Sequence, residues 1–296
     1  MTAETSLPVY GGQAVIEGVM MRGASAVAIA MRDPEGEIQM HTEELGPIYR
    51  SRWAKIPFLR GLVILWDALS LGMRALTISA NTQTGEDEQL EGPVLYITLA
   101  LSLAFSIGLF FLTPALVSAL AENFIEIPAW VGNIIEGIVR LLLLVGYIWA
   151  VGQMEDIKRV FGYHGAEHKT INAFEAGAEL TPEEVAKFPL EHPRCGTAFL
   201  LTVVVFSVIF LTLLGPMPLW PRLLTRLITI PILASLAYEY IRWTARHLDS
   251  AFVRLLIRPN LALQRLTTRE PDPEMLEVSI ASFNTMRHNE AELSVT

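Results

Sequence analysis

The chain has 296 residues, of which 18% are charged, and its mean hydropathy is +0.40. Soluble globular domains carry about 25% charged residues, so this composition favours a membrane protein. The net charge of −9 gives no support to nucleic-acid binding, which depends on clustered basic residues. The single cysteine, Cys195, excludes an intramolecular disulfide and a four-cysteine zinc site.

The first 92 residues are predicted to form a cytoplasmic segment that precedes the membrane spans. Gly11–Gly23 is apolar with glycine at both ends, and two interpretations are open. It forms a buried strand with tight turns, or it brings Glu17 or Arg22 to a functional site. Further on, the turn sequence Asp33-Pro34-Glu35-Gly36 separates two extended stretches, which predicts a small β-hairpin.

The stretch from Pro57 to Leu76 is apolar but interrupted by charged residues. Its large apolar residues recur at helical spacing, at Leu62, Leu65, Trp66, Leu69 and Met73. This pattern is typical of an amphipathic helix that lies on the membrane or against a helical bundle.

Two uncharged apolar runs are long enough to cross a bilayer, whose hydrocarbon core requires roughly 20 residues of helix, and two weaker runs carry charged residues. They are predicted to form two transmembrane hairpins, which makes the fold mainly α-helical with four spans, at Pro93–Leu120, Ile134–Val151, Ala198–Leu219 and Leu223–Trp243. The chain is thereby divided into an N-terminal segment, a first hairpin, a middle loop, a second hairpin and a C-terminal segment, at residues 1–92, 93–151, 152–197, 198–243 and 244–296.

Lysine and arginine residues predict the orientation of these spans. They are frequent in the N-terminal segment, the middle loop and the C-terminal segment, whereas the loop Ala121–Asn133 contains none. Short cytoplasmic loops carry the excess of basic residues. We therefore expect a multi-pass protein in a lipid bilayer with both termini and the middle loop on the cytoplasmic side.

The middle loop contains the strongest chemical motif, Tyr163-His164-Gly165-Ala166-Glu167-His168-Lys169. On a helix, residues three and four apart share a face, so His164, Glu167 and His168 point the same way. Two imidazoles one turn apart can bind one divalent cation, and an adjacent carboxylate can serve as a general base. The H-x-x-E-H order is the inverzincin pattern. An exposed, solvated helix face is the alternative interpretation.

Further metal ligands are available outside this motif. His192-x-x-Cys195 can chelate an ion through a turn, and we expect a third ligand from His192, Cys195 or Glu239. Three protein ligands plus water are typical of catalytic zinc. For Glu239, an ion pair with Arg242 or Arg246 is an equal alternative. Cys195 as a nucleophile lacks an identifiable orienting group.

Cytoplasmic helices are predicted on both sides of the second hairpin. Gly177 is expected to end the motif helix, and Thr181-Pro182-Glu183-Glu184 has the residues of a new helix start. Arg242–Arg258 mixes arginine with aliphatic residues and is expected to lie along the membrane surface. Pro273–Arg287 carries an apolar helical stripe that should pack against another element.

Four motifs in order resemble the bacterial YqhQ-like family: Gly11–Gly23, Tyr163–Gly177, His192–Thr197 and Leu263–Pro271. The resemblance extends from about Val9 to the helix after Pro273. The family is a domain of unknown function, described as predicted metal-dependent membrane enzymes. The resemblance implies a bacterial inner-membrane protein with a bound metal. It also implies roles at one cytoplasmic site for Glu17, Arg22, Asn172, Glu175, Arg194, Arg265, Thr267, Arg269 and Glu270.

These observations support a leading hypothesis and two alternatives. The leading hypothesis is a metal-dependent membrane enzyme, a hydrolase, with Glu167 as the catalytic residue and zinc as the divalent ion. The first alternative is a non-catalytic membrane scaffold or regulatory protein with a structural metal. A transporter is the second alternative. Four spans are few for a transporter, so it would have to form a homo-oligomer. No motif identifies the substrate.

Overall fold

The computed structural model of the protein describes residues 10–46, 56–84, 92–125, 127–214 and 217–294. The described chain is mainly helical and includes a small antiparallel sheet, which confirms the predicted fold class. Apolar helices form a bundle, and the sheet packs with polar helices at one end of it. The candidate site lies in that polar part.

Two β-hairpins form one sheet, where the sequence predicted a single hairpin. The strands are β1 (Gly11–Val15), β2 (Gly18–Arg22), β3 (Ala26–Arg32) and β4 (Ile38–Glu44), in the spatial order β1-β2-β3-β4. The predicted hairpin is β3–β4, and Gly36 in its turn has φ 92°. The segment Gly11–Gly23 forms the other hairpin. This agrees with the first of its two interpretations, a buried strand with tight turns. The sheet was underestimated because Gly11–Gly23 lacks the polar/apolar alternation that marks a half-exposed hairpin.

Helices cover both faces of the sheet. Successive strand residues point to opposite faces, and here both faces are apolar. One face packs on α5 (Glu155–Glu175) and α10 (Pro273–Leu293), through Val19, Met21, Ala28 and Ala30. The other packs on α1 (Leu59–Gln83), through Val15, Met20, Val27, Ile29 and Met31.

The bundle consists of a long broken helix and three further helices. The elements are α2 (Gly92–Ile107), a π-helical turn (Gly108–Leu112), α3 (Thr113–Ile125), α4 (Ala129–Val151), α7 (Thr197–Leu213) and α8 (Leu219–Arg246). Pro114 has no backbone N–H and cannot donate to the carbonyl of Phe110 in an α-helix. Arg140 Nε donates to Phe110 O instead, at 2.9 Å. Proline thus explains both the π-turn and the side-chain bond across to α4.

One of the predicted spans differs in the structure, and the helix predicted to be amphipathic is long and apolar enough to be a span. The described helices long and apolar enough to cross a membrane are Leu59–Gln83, Tyr96–Phe124, Trp130–Val151 and Trp220–Arg246. The expected span Ala198–Leu219 is instead the 17-residue α7, which ends at Leu213. At 1.5 Å per residue it is roughly 26 Å long, against a hydrocarbon core of about 30 Å. Helix breakers follow it in the sequence, namely Gly215, Pro216 and Pro218.

Helix α1 is longer than predicted, and both of its ends contact other elements. At its start, Arg60 pairs with Glu239 of α8. Near its end, Gln83 Nε2 donates to Arg32 O of β3 at 2.6 Å. Its exposed face is apolar and includes Phe58, Leu59, Trp66 and Leu69. These contacts favour a helix that lies against the bundle and the sheet with an apolar face toward lipid.

The remaining predicted helices are present. Gly177, with φ 73°, follows α5, and the side chain of Thr181 accepts from Glu184 N at the start of α6 (Pro182–Val185). The C-terminal segment contains α9 (Ala251–Gln264) and α10. Of the basic residues used to predict orientation, Arg50, Arg52 and Lys55 lie outside the described residues. So does most of the polar stretch Asn81–Gly92, whose first residues belong to α1.

A buried ionic network joins α4 to α8, and the sequence prediction assigned it no role. Glu136 accepts from Arg140 Nη2 at 2.8 Å and from Arg226 Nη2 at 2.7 Å. Arg226 also donates to Asn133 Oδ1, and Arg140 donates to Ser207 Oγ. The three ionic side chains are at most 4% exposed. Ionisable groups inside a membrane bundle are costly unless they are paired in this way.

Candidate metal centre

Helix α5 presents the H-x-x-E-H motif on one face. The helix begins after Met154 with Glu155 and Asp156 in its first turn, where the helix dipole favours acidic residues. His164 and His168 are one helical turn apart, and the centres of their rings lie 4.4 Å from each other. The predicted shared face is therefore present, and it points into the protein because His168 is 1% exposed.

Backbone carbonyls fix the tautomer of both histidines. His164 Nδ1 lies 2.8 Å from Thr267 O, and His168 Nδ1 bonds to Leu190 O. A carbonyl oxygen only accepts, so each Nδ1 carries the hydrogen and each neutral ring has a free lone pair on Nε2. Metal-binding histidines are held by the same kind of hydrogen bond from the opposite ring nitrogen.

Cys195 completes a compact group with these two nitrogens. Its Sγ lies 3.3 Å from His164 Nε2, and one ligand atom from each of His164, His168 and Cys195 lies within 4.8 Å of the others. Tetrahedral zinc with bonds of about 2.1 Å to nitrogen and 2.3 Å to sulfur requires ligand atoms roughly 3.5 Å apart. The donors are those that zinc prefers, so this group fits the ion.

Glu167 lies beside the three donors with its carboxylate toward them. Its Oε2 is 3.9 Å from His164 Nε2 and 3.8 Å from His168 Nε2. Strand β1 passes directly over this side chain. A Cβ added at Gly12 would lie 2.7 Å from Glu167 Cγ and 2.7 Å from Met20 O, so glycine is required there.

His192 lies at the edge of this group. Its ring centre is 5.6 Å from that of His168, and among the described residues its buried Nε2 has no hydrogen-bond partner. Glu175 Oε2 is 3.9 Å from that nitrogen. Burial raises the pKa of Glu175, but hydrogen bonding with Arg194, the charge of Arg194 and the nearby ring of His192 together lower it to about 2. Glu175 is therefore a carboxylate at neutral pH and orients this side of the site.

Glu239, the other expected ligand, is not brought to this group. Its carboxylate pairs with Arg60 and accepts from Phe58 N at 3.1 Å. The arginine comes from α1, whereas Arg242 and Arg246 were the partners considered from the sequence. Sequence distance concealed this contact because Arg60 and Glu239 lie 179 residues apart.

Polar side chains of α5 donate hydrogen bonds to the backbone of the loop that carries Leu190 and His192. Lys169 Nζ donates to Ala186 O at 2.7 Å and to Phe188 O at 2.8 Å, and it also pairs with Glu270 at 2.6 Å. Asn172 Nδ2 donates to Pro189 O and Glu191 O. These bonds hold the carbonyl that fixes the His168 ring.

Helix α9 and the chain after it hold the site from the opposite side. Gln264 is fully buried, donates to His192 O at 2.9 Å and accepts from His192 N at 2.9 Å. Thr267 supplies the carbonyl that fixes His164. Arg269 N donates to Phe161 O at 2.9 Å, which joins this segment to α5. Sequence analysis missed Gln264 because nothing local distinguishes it from a solvated glutamine.

The residues implied by the family resemblance fall into two sets. Asn172, Glu175, Arg194, Thr267, Arg269 and Glu270 make the contacts described above, and Arg265 Nε pairs with Glu191 at 2.8 Å. Glu17 lies in the β1–β2 turn, where it pairs with Arg159 at 2.5 Å. Arg22 ends strand β2. The structure therefore places the first set around the histidines and the other two residues on the sheet.

Taken together, the fold and the site define a class: a mainly helical membrane protein with a His/His/Cys group, in which His168 and Cys195 are buried and His164 is half-buried, and an adjacent glutamate. Its relatives are known in sequence. A family model described as "Protein of unknown function (DUF1385)" matches residues 56–289, and the chain belongs to this family.

One curated relative matches almost from end to end. The chain is 36% identical over 304 residues to "Uncharacterized protein YqhQ" of Bacillus subtilis (strain 168), with 96% of this chain and 94% of the relative covered. The YqhQ-like resemblance is thereby confirmed. No solved structure shows a significant match.

Proposed function

We propose that this protein is a metal-dependent hydrolase of the bacterial cytoplasmic membrane. The observation that carries the proposal is that one ligand atom from each of His164, His168 and Cys195 lies within 4.8 Å of the others, while both histidine Nδ1 atoms are bonded to carbonyls. Solvent-exposed histidines are not usually held in one tautomer by backbone carbonyls, whereas metal-binding histidines are held in this way. Nitrogen and thiolate ligands favour zinc among the divalent metals.

Glu167 is the proposed general base. A bound zinc ion supplies Lewis acidity and an activated water molecule for hydrolysis. The Glu167 carboxylate lies within 4 Å of both histidine nitrogens, so it can accept a proton from water at the centre and deliver it to a leaving group. Gly12 and strand β1 limit the movement of this side chain.

The proposed orientation places the site on the cytoplasmic side of a multi-pass protein. Helix α5 follows α4 without a membrane crossing between them. Basic residues lie within it, at Lys158 and Arg159, and in the loop after it, at Lys187 and Arg194. The positive-inside rule assigns such segments to the cytoplasm. A cysteine-accessibility assay on intact cells and on inverted vesicles, with cysteines placed in α5 and in the loop 127–128, tests this orientation.

Metal content is the direct test of the centre. Protein purified without added metal is expected to contain about one zinc ion per chain, and a His164→Ala/His168→Ala variant is expected to contain none. The exposed His288 provides the matched control, since His288→Ala should retain the metal. Equal metal content in the double variant and in wild type would contradict the proposal.

The thiolate ligand has a separate test. Cobalt-substituted protein should show a thiolate-to-cobalt charge-transfer band that disappears in Cys195→Ser. If the band is absent from the wild-type protein, Cys195 is not a ligand and the proposed donor set is wrong.

A structural metal site in a scaffold protein is the second candidate, and one observation favours it. His192 Nε2 is buried, lacks a hydrogen-bond partner among the described residues and lies beside His168. A fourth protein ligand from His192 would close the site, and closed sites are structural. X-ray absorption distinguishes the two, because a catalytic site keeps an oxygen ligand from water. His192→Ala would weaken metal binding strongly in the structural case.

A further inference from the structure

Helix α9 has one face packed in the protein and one apolar face uncovered. The buried residues recur at helical spacing, at Val253, Ile257, Asn260, Leu263 and Gln264. They pack on α7, where Asn260 Nδ2 donates to Thr202 Oγ1 at 3.5 Å. On the other face, Phe252 is 63% exposed and Leu255 is 58% exposed. Large apolar side chains in a row with this exposure mark a contact surface.

The charged side chains within α9 are all arginines, and the exposed Asp249 lies just before the helix. From Ala251 to Arg269 the chain contains four arginines and no acidic residue. Arg265 pairs with Glu191 and Arg269 is bonded to the end of α4. Arg254 and Arg258 are exposed beside the apolar row, although Arg254 Nη1 also donates to Leu248 O and Asp249 O. The face is therefore complementary to an apolar layer bordered by negative charge.

The position of α9 identifies the layer. Helix α8, a candidate span, ends at Arg246, and α9 starts five residues later at Ala251. It packs along α7, another apolar helix of the bundle. A short amphipathic helix with arginines, placed where a span ends, lies in the interface of the bilayer with its apolar residues in the acyl region. Arginines at this level attract anionic lipid headgroups.

The buried end of the same helix holds the candidate site. Gln264, its last residue, is bonded to both backbone groups of His192. Thr267 follows within one turn and fixes His164. Pro259 lies inside the helix and removes its backbone hydrogen bond to Leu255 O. The link from Phe252 and Leu255 to Gln264 therefore depends on the buried residues Ile257, Asn260 and Leu263, which hold both halves of α9 against α7.

We propose that α9 docks on anionic lipid of the bilayer surface and that this docking steadies the loop that carries His192. The partner is defined by its chemistry, an acyl layer with anionic headgroups. The proposal goes beyond the proposed function and does not require that a metal is bound. Helix α9 would carry the effect of anionic lipid at its exposed face to the hydrogen bonds between Gln264 and His192.

Hydrogen exchange of the full-length protein in nanodiscs tests both parts. Discs of phosphatidylcholine alone are compared with discs that also contain phosphatidylglycerol. Each arginine near an anionic surface should slow local opening by about fivefold. We expect this slowing in residues 251–264 and, through Gln264, in residues 186–196. High salt should reduce it, because exposed charges are screened.

Charge variants identify the source of the effect. Arg258→Gln is expected to reduce the lipid dependence by about fivefold, the share of one arginine, whereas Lys187→Gln should retain it because Lys187 is an exposed residue paired with Glu184 on α6. Equal exchange in both kinds of disc would overturn the proposal, as would full lipid dependence in Arg258→Gln. Protection that is independent of lipid charge would indicate a second copy of the chain or a protein on this face. Slowing of residues 251–264 alone would refute the coupling to the His192 loop.

Discussion

Replacement of Glu136 by glutamine is expected to destabilise the bundle strongly. Glu136 is the shared acceptor of Arg140 and Arg226, and its two oxygens receive hydrogen bonds of 2.7 to 3.2 Å from them. The variant keeps the size of the side chain but removes its negative charge. Two guanidinium groups then remain buried without a counterion.

The magnitude follows from burial. Exposed ion pairs contribute about 0–1 kcal/mol, whereas removal of one partner from a buried pair costs about 3–5 kcal/mol because the other charge stays buried. Glu136 is 1% exposed and each arginine is 3% exposed, so the larger value applies. A loss of this size lowers a melting midpoint by on the order of 10 °C.

The buried Cys195 provides the assay. It is the single cysteine of the chain, and it becomes reactive toward a fluorogenic maleimide when the protein unfolds in detergent. Glu292→Gln is the matched control, since Glu292 pairs with His288 at an exposed position, and it should shift the midpoint by less than about 2 °C. Joint replacement of Glu136, Arg140 and Arg226 by leucine and methionine should recover most of the loss. A Glu136→Gln midpoint equal to the control would refute the reasoning.

Three further predictions concern the candidate site. Gly12→Ala should lower the free energy of unfolding by about 1–3 kcal/mol and weaken metal binding, because the added methyl group would lie 2.7 Å from Glu167 Cγ and 2.7 Å from Met20 O. Unchanged metal affinity would contradict this prediction. Gln264→Leu should cost about 2–4 kcal/mol, since two backbone groups of His192 lose their partners; the same maleimide assay measures it. The low pKa of Glu175 means that its pairing stabilises the fold above about pH 4.5 and is lost as pH falls toward 2. Circular dichroism melts should show wild type and Arg194→Gln converging over that range and separating at neutral pH.

Local patterns predicted the elements whose signals are contained within a few residues. The H-x-x-E-H face lies on one helix, so spacing alone placed His164 and His168 together. Thr181 and Gly177 act on their own backbone neighbours, and the helix start and stop there were confirmed. Cys195 was expected near the histidines because it lies in the same loop, and the structure brings it to 3.3 Å from His164.

Long-range contacts determined what the sequence could not predict. Glu239 was a candidate ligand because its partner Arg60 lies in a segment with no local relation to it. The i,i+4 pair of Glu136 and Arg140 is visible in the sequence, but the third member, Arg226, is 90 residues further along the chain. Helix α1 was predicted too short because its last turns are held by the sheet, where Ser79 Oγ accepts from Ile16 N at 3.2 Å and Gln83 Nε2 donates to Arg32 O at 2.6 Å.

Burial decides between the two interpretations of the motif. A solvated helix face requires exposed side chains, but His168 is 1% exposed, Lys169 is 4% exposed and Glu167 is 5% exposed. Buried charged groups are costly unless they are paired. Lys169 meets this condition through two carbonyls and Glu270. Glu167 instead faces the Nε2 atoms of His164 and His168, at 3.9 and 3.8 Å, and His164 Nε2 also lies 3.3 Å from Cys195 Sγ. A cation at that position is the arrangement that would compensate the carboxylate and all three donors together.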